Sequence, residues 1–258
     1  SLVIVEVVPT NFPGVDRLVR WGYDPINGDL TPIAPLVTTT SGSGSLACCD
    51  SDLALHPSGD FLYALHNASD QVQGYSIGAT GALAPLPGGL WPTLGSPSDL
   101  AISPDGGLLV AGSPGGFQAW TVDAATGLLS PATGPTTSPA SELRDLVFSP
   151  DGGTLWTIHF GGIVESWTVF SGGALQLRDV LNLSLASRLA AAAVSPDGSR
   201  LFVRDQESGL LDLAIGTSGN PYLATTSLEW LGFGRSVVVS PDGATVYAAA
   251  EDSGELHA

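Results

Sequence analysis

The segment Asp99–Gly106, DLAISPDG, decides the fold, because its last four letters return at Ser149, Ser195 and Ser240. A related turn, His56-Pro57-Ser58-Gly59, precedes them, and the five copies stand 47, 46, 46 and 45 residues apart. A period in the forties is that of a propeller blade. A second marker keeps the same phase: Gly28, Gly81, Gly127, Gly173 and Gly219, in NGDL, TGAL, TGLL, GGAL and SGNP. Two independent markers holding one phase make coincidence untenable.

Within each period the letters predict four short strands. An apolar run precedes the turn, as in DLAIS, DLVFS and SVVVS, and is continuous enough to be buried on both faces as an inner strand. An alternating strand follows with an aromatic at one phase: Tyr63, Trp156, Phe202 and Tyr247, with Val110 as the exception. A third strand carries its own aromatic in GYSI, AWTV and SWTV, and the marker glycine closes it. A Pro/Ser/Thr-rich segment then forms the outer edge, where a missing N–H is tolerated. Inside SPDG the proline presets φ, the aspartate accepts turn N–H groups, and the glycine supplies positive φ. The repeated aspartates therefore read as turn chemistry, not as a calcium or catalytic set.

Four whole units fill residues 51 to roughly 234. The N-terminal piece supplies a second, third and fourth strand, and the C-terminal piece a first, a second and part of a third. The expectation is an all-β, single-domain β-propeller over residues 1–258, with four-stranded blades of about 46 residues. It has six blades, the last incomplete, or is a shortened seven-bladed ring.

Charge narrows the function. The chain has a formal net charge of -17, and all eight basic residues are arginines. Such a surface repels phosphate backbones and anionic lipid, so nucleic acid is excluded as a partner. No apolar run approaches the ~18 residues of a membrane span, so no membrane insertion is expected. The chain starts at Ser1 and contains no methionine, which fits a mature chain freed of a leader. Together with the acidity this leads us to expect a periplasmic or secreted protein. Cys48 and Cys49 are adjacent, leaving two thiols, a strained vicinal disulfide, or bonds to another chain.

DLALHPSGDFLYALHN, DLAISPDGGLLVAG, SVVVSPDGATVYAAAEDSGEL and the strand ends YDPINGDL and VDAATGLL resemble the lactonase-type β-propellers. These are the family of bacterial 6-phosphogluconolactonase and of the fungal carboxymuconate-lactonizing enzyme. The resemblance implies a seven-bladed ring and, in members that act on lactones, histidines seven and five residues ahead of an SPDG serine. Here those places hold Cys49 and Ser51, Ser96 and Ser98, Glu142 and Arg144, Arg188 and Ala190, and Phe233 and Arg235. The four histidines, His56, His66, His159 and His257, all lie elsewhere.

Arg144, Arg188 and Arg235 fall at these lead-in positions of three consecutive blades, around the central funnel. Guanidinium groups there suit a small carboxylate or phosphate ligand, or else pair internally with Glu142 and with Asp52, Asp99 and Asp145. Trp91 and Trp230 sit in the apolar connecting segments GGLWPTLG and LEWLGFG and are candidate anchors for a protein partner. No CxxC, HExxH, P-loop or GxSxG motif occurs, so no metal or cofactor is expected. The sequence thus points to a non-enzymatic binding or accessory propeller. The alternative is a divergent lactone- or sugar-acid-processing enzyme in which Arg144, Arg188 and Arg235 bind the acid and Glu142 transfers the proton.

Overall fold

A computed structural model describes residues 2–8, 17–24, 26–27, 29–38, 52–132, 142–183, 188–226, 234, 236–249 and 256–258. These form six antiparallel sheets in chain order. The first holds β1 (Leu2–Val8), β2 (Arg17–Tyr23) and β3 (Leu30–Thr38). The second holds β4 (Leu53–Leu55), β5 (Phe61–His66), β6 (Gln71–Ile77) and β7 (Leu83–Pro92). The third holds β8 (Asp99–Ile102), β9 (Leu108–Ser113), β10 (Gly116–Val122) and β11 (Leu129–Pro131). The fourth holds β12 (Leu143–Phe148), β13 (Thr154–His159), β14 (Ile163–Val169) and β15 (Leu175–Asn182). The fifth holds β16 (Leu189–Val194), β17 (Arg200–Asp205), β18 (Gly209–Ile215) and β19 (Pro221–Thr226). The sixth holds β20 (Ser236–Val239), β21 (Val246–Ala249) and β22 (Leu256–His257).

Each sheet is a blade of a β-propeller, paired in simple meander order, and the inner strands β4, β8, β12, β16 and β20 neighbour one another in sequence around the centre. The two three-stranded sheets match the incomplete units expected at the chain's ends.

One expectation is corrected. The apolar inner strands are not buried on both faces: three of the four residues of β8 and three of the six of β16 are only half-buried. Continuous burial belongs to the second strands instead, where every residue of β5, β9 and β13 is buried. Each second strand lies mid-blade with a neighbouring blade on either side. Tyr63 and Leu65 pack against Leu109 and Trp120 of the next blade. Val110 and Phe117 meet Leu155 and Trp167, whose ring stands edge-on to Phe117 at 5.1 Å. Trp156 and Ile158 meet Leu201 and Val203.

The two sequence markers keep phase because they touch across blades. The Tyr63 hydroxyl donates to the Gly127 carbonyl at 2.8 Å, and the Trp156 indole N–H donates to the Gly219 carbonyl at 3.1 Å. Gly127 has φ +70°, and a Cβ there would overlap the Phe61 ring. It is glycine both for its backbone conformation and for the preceding blade's approach.

The SPDG turns behave as read. Ser103 donates to Asp105 Oδ1 at 2.6 Å, the same oxygen accepts the Gly107 N–H, and Ser103 Oγ accepts the Leu108 N–H. Asp151, Asp197 and Asp242 repeat the arrangement. These donors hold the turn carboxyls below the usual carboxylate range, Asp197 down to about 2.

Candidate functional site

The lead-in segments and the turns between second and third strands meet at one end of the blades. Phe160 N–H donates to the Glu142 carbonyl, Gln206 N–H to the Arg188 carbonyl, and Thr93 N–H to the Asp70 carbonyl. The lead-in residues themselves are committed to this scaffold. Ser96 N–H donates to Asp70 Oδ1 at 2.7 Å, and Ser98 Oγ donates to the Leu143 carbonyl of the next blade at 3.1 Å. Arg188 N–H donates to Asp205 Oδ2 at 2.9 Å. Ser96 and Glu142, at one repeat position, both take positive φ, 55° and 51°.

Arg144 is the extra residue of a β-bulge, since Leu143 pairs with His159 and Asp145 with Ile158. Bulges re-aim a side chain, and this one sends the guanidinium outward. There it lies 3.8 Å from the Glu142 carboxylate and 5.2 Å above the Phe160 ring, about one third exposed. So the structure pairs Arg144 with Glu142 internally and adds an aromatic platform that sequence reasoning missed. Arg235, Trp230, Cys48 and Cys49 lie outside the described residues.

Trp91 is a correction: it is not in a connecting loop but in β7, half-buried, with its ring over Gly74. It packs on the core shared by the second and third blades, covering a sheet whose third strand lacks a side chain at that point. Within the chain this tryptophan covers a blade edge.

Asp52, Asp99 and Asp145 also have a different use from ion pairing with the arginines. Asp52 Oδ2 accepts the Leu100 N–H at 3.0 Å, Asp99 Oδ2 the Leu146 N–H at 2.6 Å, and Asp145 Oδ2 the Ala192 N–H at 2.5 Å. Each carboxyl thus clasps the inner strand of the following blade. The row ends where the repeat places Ala191 and Ser236. Asp52 and Asp145 also hydrogen-bond the side chain of Asp99. Two carboxyl groups can do so only if one keeps a proton. Burial first, then the charges of Asp145 and Asp52, hold Asp99 well above the usual range. Burial likewise raises Asp52, and raises Asp145 to about 6.

A further polar group is enclosed between the third and fourth blades. His159 Nε2 lies 3.3 Å from Glu165 Oε2 and 2.8 Å from Thr157 Oγ1, and the Trp167 indole N–H donates to Glu165 at 3.2 Å. These four side chains are buried and tie β13 to β14 within the fourth blade. Among the described residues no group of three or more His, Cys, Asp or Glu side chains could hold a metal ion, and no helix is long and apolar enough to cross a membrane.

With this geometry in view, residues 15–133 match the family model of the lactonases with a seven-bladed β-propeller. Over that stretch the chain is similar to the lactonase-type β-propellers. The periplasmic gluconolactonase PpgL of Pseudomonas aeruginosa superimposes with a TM-score of 0.79 at 22% identity, covering 98% of this chain and 76% of that one. A Lactobacillus plantarum protein superimposes at 0.76 with 18% identity, covering 99% and 80%. At such identities the likeness is one of fold. No curated protein matches the chain. The chain shares the propeller blades of these structures, and its lead-in positions carry serine, glutamate and arginine.

Proposed function

We propose that this lactonase-like propeller is a non-enzymatic, extracytoplasmic binding or accessory subunit that uses its funnel face to engage a protein partner. The supporting observation is the commitment of the lead-in residues. Ser96, Ser98 and Arg188 fasten neighbouring segments, and Arg144 is balanced by Glu142 and stacked on Phe160. A rim tied in this way presents shape and charge to a partner. The Arg144 guanidinium, about one third exposed, is suited to a carboxylate or phosphate on the partner or a small anionic ligand. A second reading has one observation behind it: Glu142 presents a 59% exposed carboxylate beside Arg144, the arrangement a sugar-acid-processing enzyme would need.

The test is recovery of the untagged protein from its native source with the intact mass of every chain, followed by affinity measurement on Arg144→Ala and Phe160→Ala. A stoichiometric partner whose affinity falls in both variants supports the binding reading. A lone monomer that hydrolyses aldonolactones, with turnover abolished by Glu142→Gln, overturns it.

A further inference from the structure

The opposite end of the blades, where the SPDG turns and the marker glycines lie, carries a cavity of about 420 Å³ between the fourth and fifth blades. Its origin is a departure from the repeat. At the crevice between the second and third blades Phe61 fills the space over Gly127, and between the third and fourth Leu108 fills the space over Gly173. The residue at that phase in the fourth blade is Thr154, whose short side chain shares the space over Gly219 with the Arg178 guanidinium, and the cavity opens beside them. A volume of this size is within the range of small-molecule sites, roughly 300–1,000 Å³.

The lining has a definite chemistry. Asp151 and Asp197 stand on its rim as ionised carboxylates, since their own turns hold them below the usual range. Asp151 engages its turn through Oδ1 alone, leaving Oδ2 as an acceptor. Thr217 and Ser218 add hydroxyls, and Pro150, Trp156 and Ile215 add apolar surface. Arg178 lies against Thr154 and Gly219: its Nε donates to Asn220 at 2.7 Å, while Nη1 and Nη2 share one acceptor, Thr154 Oγ1, at 3.5 and 3.4 Å. Carboxylate acceptors and hydroxyls beside apolar carbons match a compound with alternating hydroxyl and C–H surfaces. The ionised rim and the net charge of -17 disfavour an anion.

We propose that this inter-blade cavity is a binding site for a neutral polyhydroxylated compound of monosaccharide size, separate from the funnel face and independent of the reading given for it. The test is calorimetric titration of the full chain with D-glucose and D-galactose and, as the anionic and cationic arms, gluconate and spermidine. At least one neutral sugar is expected to bind with a Kd of about 1–10 mM, in the range of a small ligand held by a few hydrogen bonds. Thr154→Leu places at this phase the residue used at Leu108, at the loss of the two hydrogen bonds that Arg178 donates to Thr154. It is expected to weaken the sugar about tenfold or more, with circular dichroism and melting checked alongside. Asp151→Asn, on the solvent-exposed rim, provides a second variant and is expected to weaken the sugar as well. Absence of neutral-sugar binding overturns the proposal, as does binding that Thr154→Leu leaves intact. Gluconate or spermidine binding more tightly than either sugar overturns the assignment of ligand class.

Discussion

Between pH 4 and pH 7 this protein should lose stability as pH rises, and Asp99→Asn should remove much of that loss. Asp145 is raised from its ordinary 3.8 to about 6, and Asp99 and Asp52 are raised in the same direction. A carboxyl whose folded value exceeds its unfolded value binds more protons when folded, so its stabilisation is full below the unfolded value and disappears as pH climbs through the folded one. For Asp145, two units at about 1.4 kcal/mol each give a fall of roughly 3 kcal/mol between pH 4 and pH 7. The turn carboxyls act oppositely: Asp105, Asp151, Asp197 and Asp242 are lowered, and their contribution is lost below about pH 4. The stability maximum therefore falls near pH 4. In the Asp99→Asn variant the side-chain amide offers an oxygen to the Leu146 N–H and N–H groups to a neighbouring carboxylate at every pH, imitating the protonated acid. Urea unfolding of both chains at half-unit pH steps should show a slope shallower in the variant by about 1.4 kcal/mol or more over the window. Parallel curves for the two chains, or wild-type stability that rises from pH 4 to pH 7, would refute the shared-proton row. Repulsion across an acidic surface also weakens the fold at higher pH, but it acts on both chains and cancels in the comparison.

Three further outcomes follow from the blade contacts. Tyr63→Phe should cost about 1 kcal/mol in chemical denaturation, because it removes the hydrogen bond to the Gly127 carbonyl. Tyr75→Phe should be close to neutral, since the buried Tyr75 hydroxyl has no acceptor among the described residues. Equal costs for the two would contradict the role given to the first. Gly127→Ala should cost about 2–4 kcal/mol through its positive φ and overlap with Phe61, and measurably less in a Phe61→Ala background. Glu165→Ala should cost about 3 kcal/mol or more by leaving His159 without its carboxylate, and the double variant with His159→Ala should cost less than the sum of the singles.

Much of the fold was legible because a repeat reports phase. SPDG, the marker glycines and the aromatic of the second strand predicted blades, strand order and the two incomplete sheets. Phase does not report partners. Asp52, Asp99 and Asp145 are visible in the sequence as one position, yet nothing in the letters distinguishes an arginine partner from the backbone of the next blade. Apolar content also misled where burial depends on neighbours: DLAIS and SVVVS read as fully enclosed, but the inner strands are not buried on both faces. Trp91 read as loop because GGLWP contains glycines and a proline, which an outer strand accepts. The cavity beside Thr154 could have been found by comparing Phe61, Leu108 and Thr154 at their shared phase. The Phe160 platform under Arg144 had no such signal, because its turn lies outside the markers.

The ties described across blades all run one way along the chain. Tyr63 reaches Gly127, Trp156 reaches Gly219, and the three aspartates reach Leu100, Leu146 and Ala192. The second, third and fourth blades each present polar side chains that are satisfied by the backbone of the following blade, some 47 to 64 residues later. During synthesis, then, a blade is closed by the next one to emerge, and growth resembles zipping from the N-terminal side with the newest blade always the least protected. Damage to one of these ties loosens a seam between two blades while leaving each blade's own strand ladder in place. Amide exchange in such a variant should quicken on both sides of the seam and fade within one blade of it.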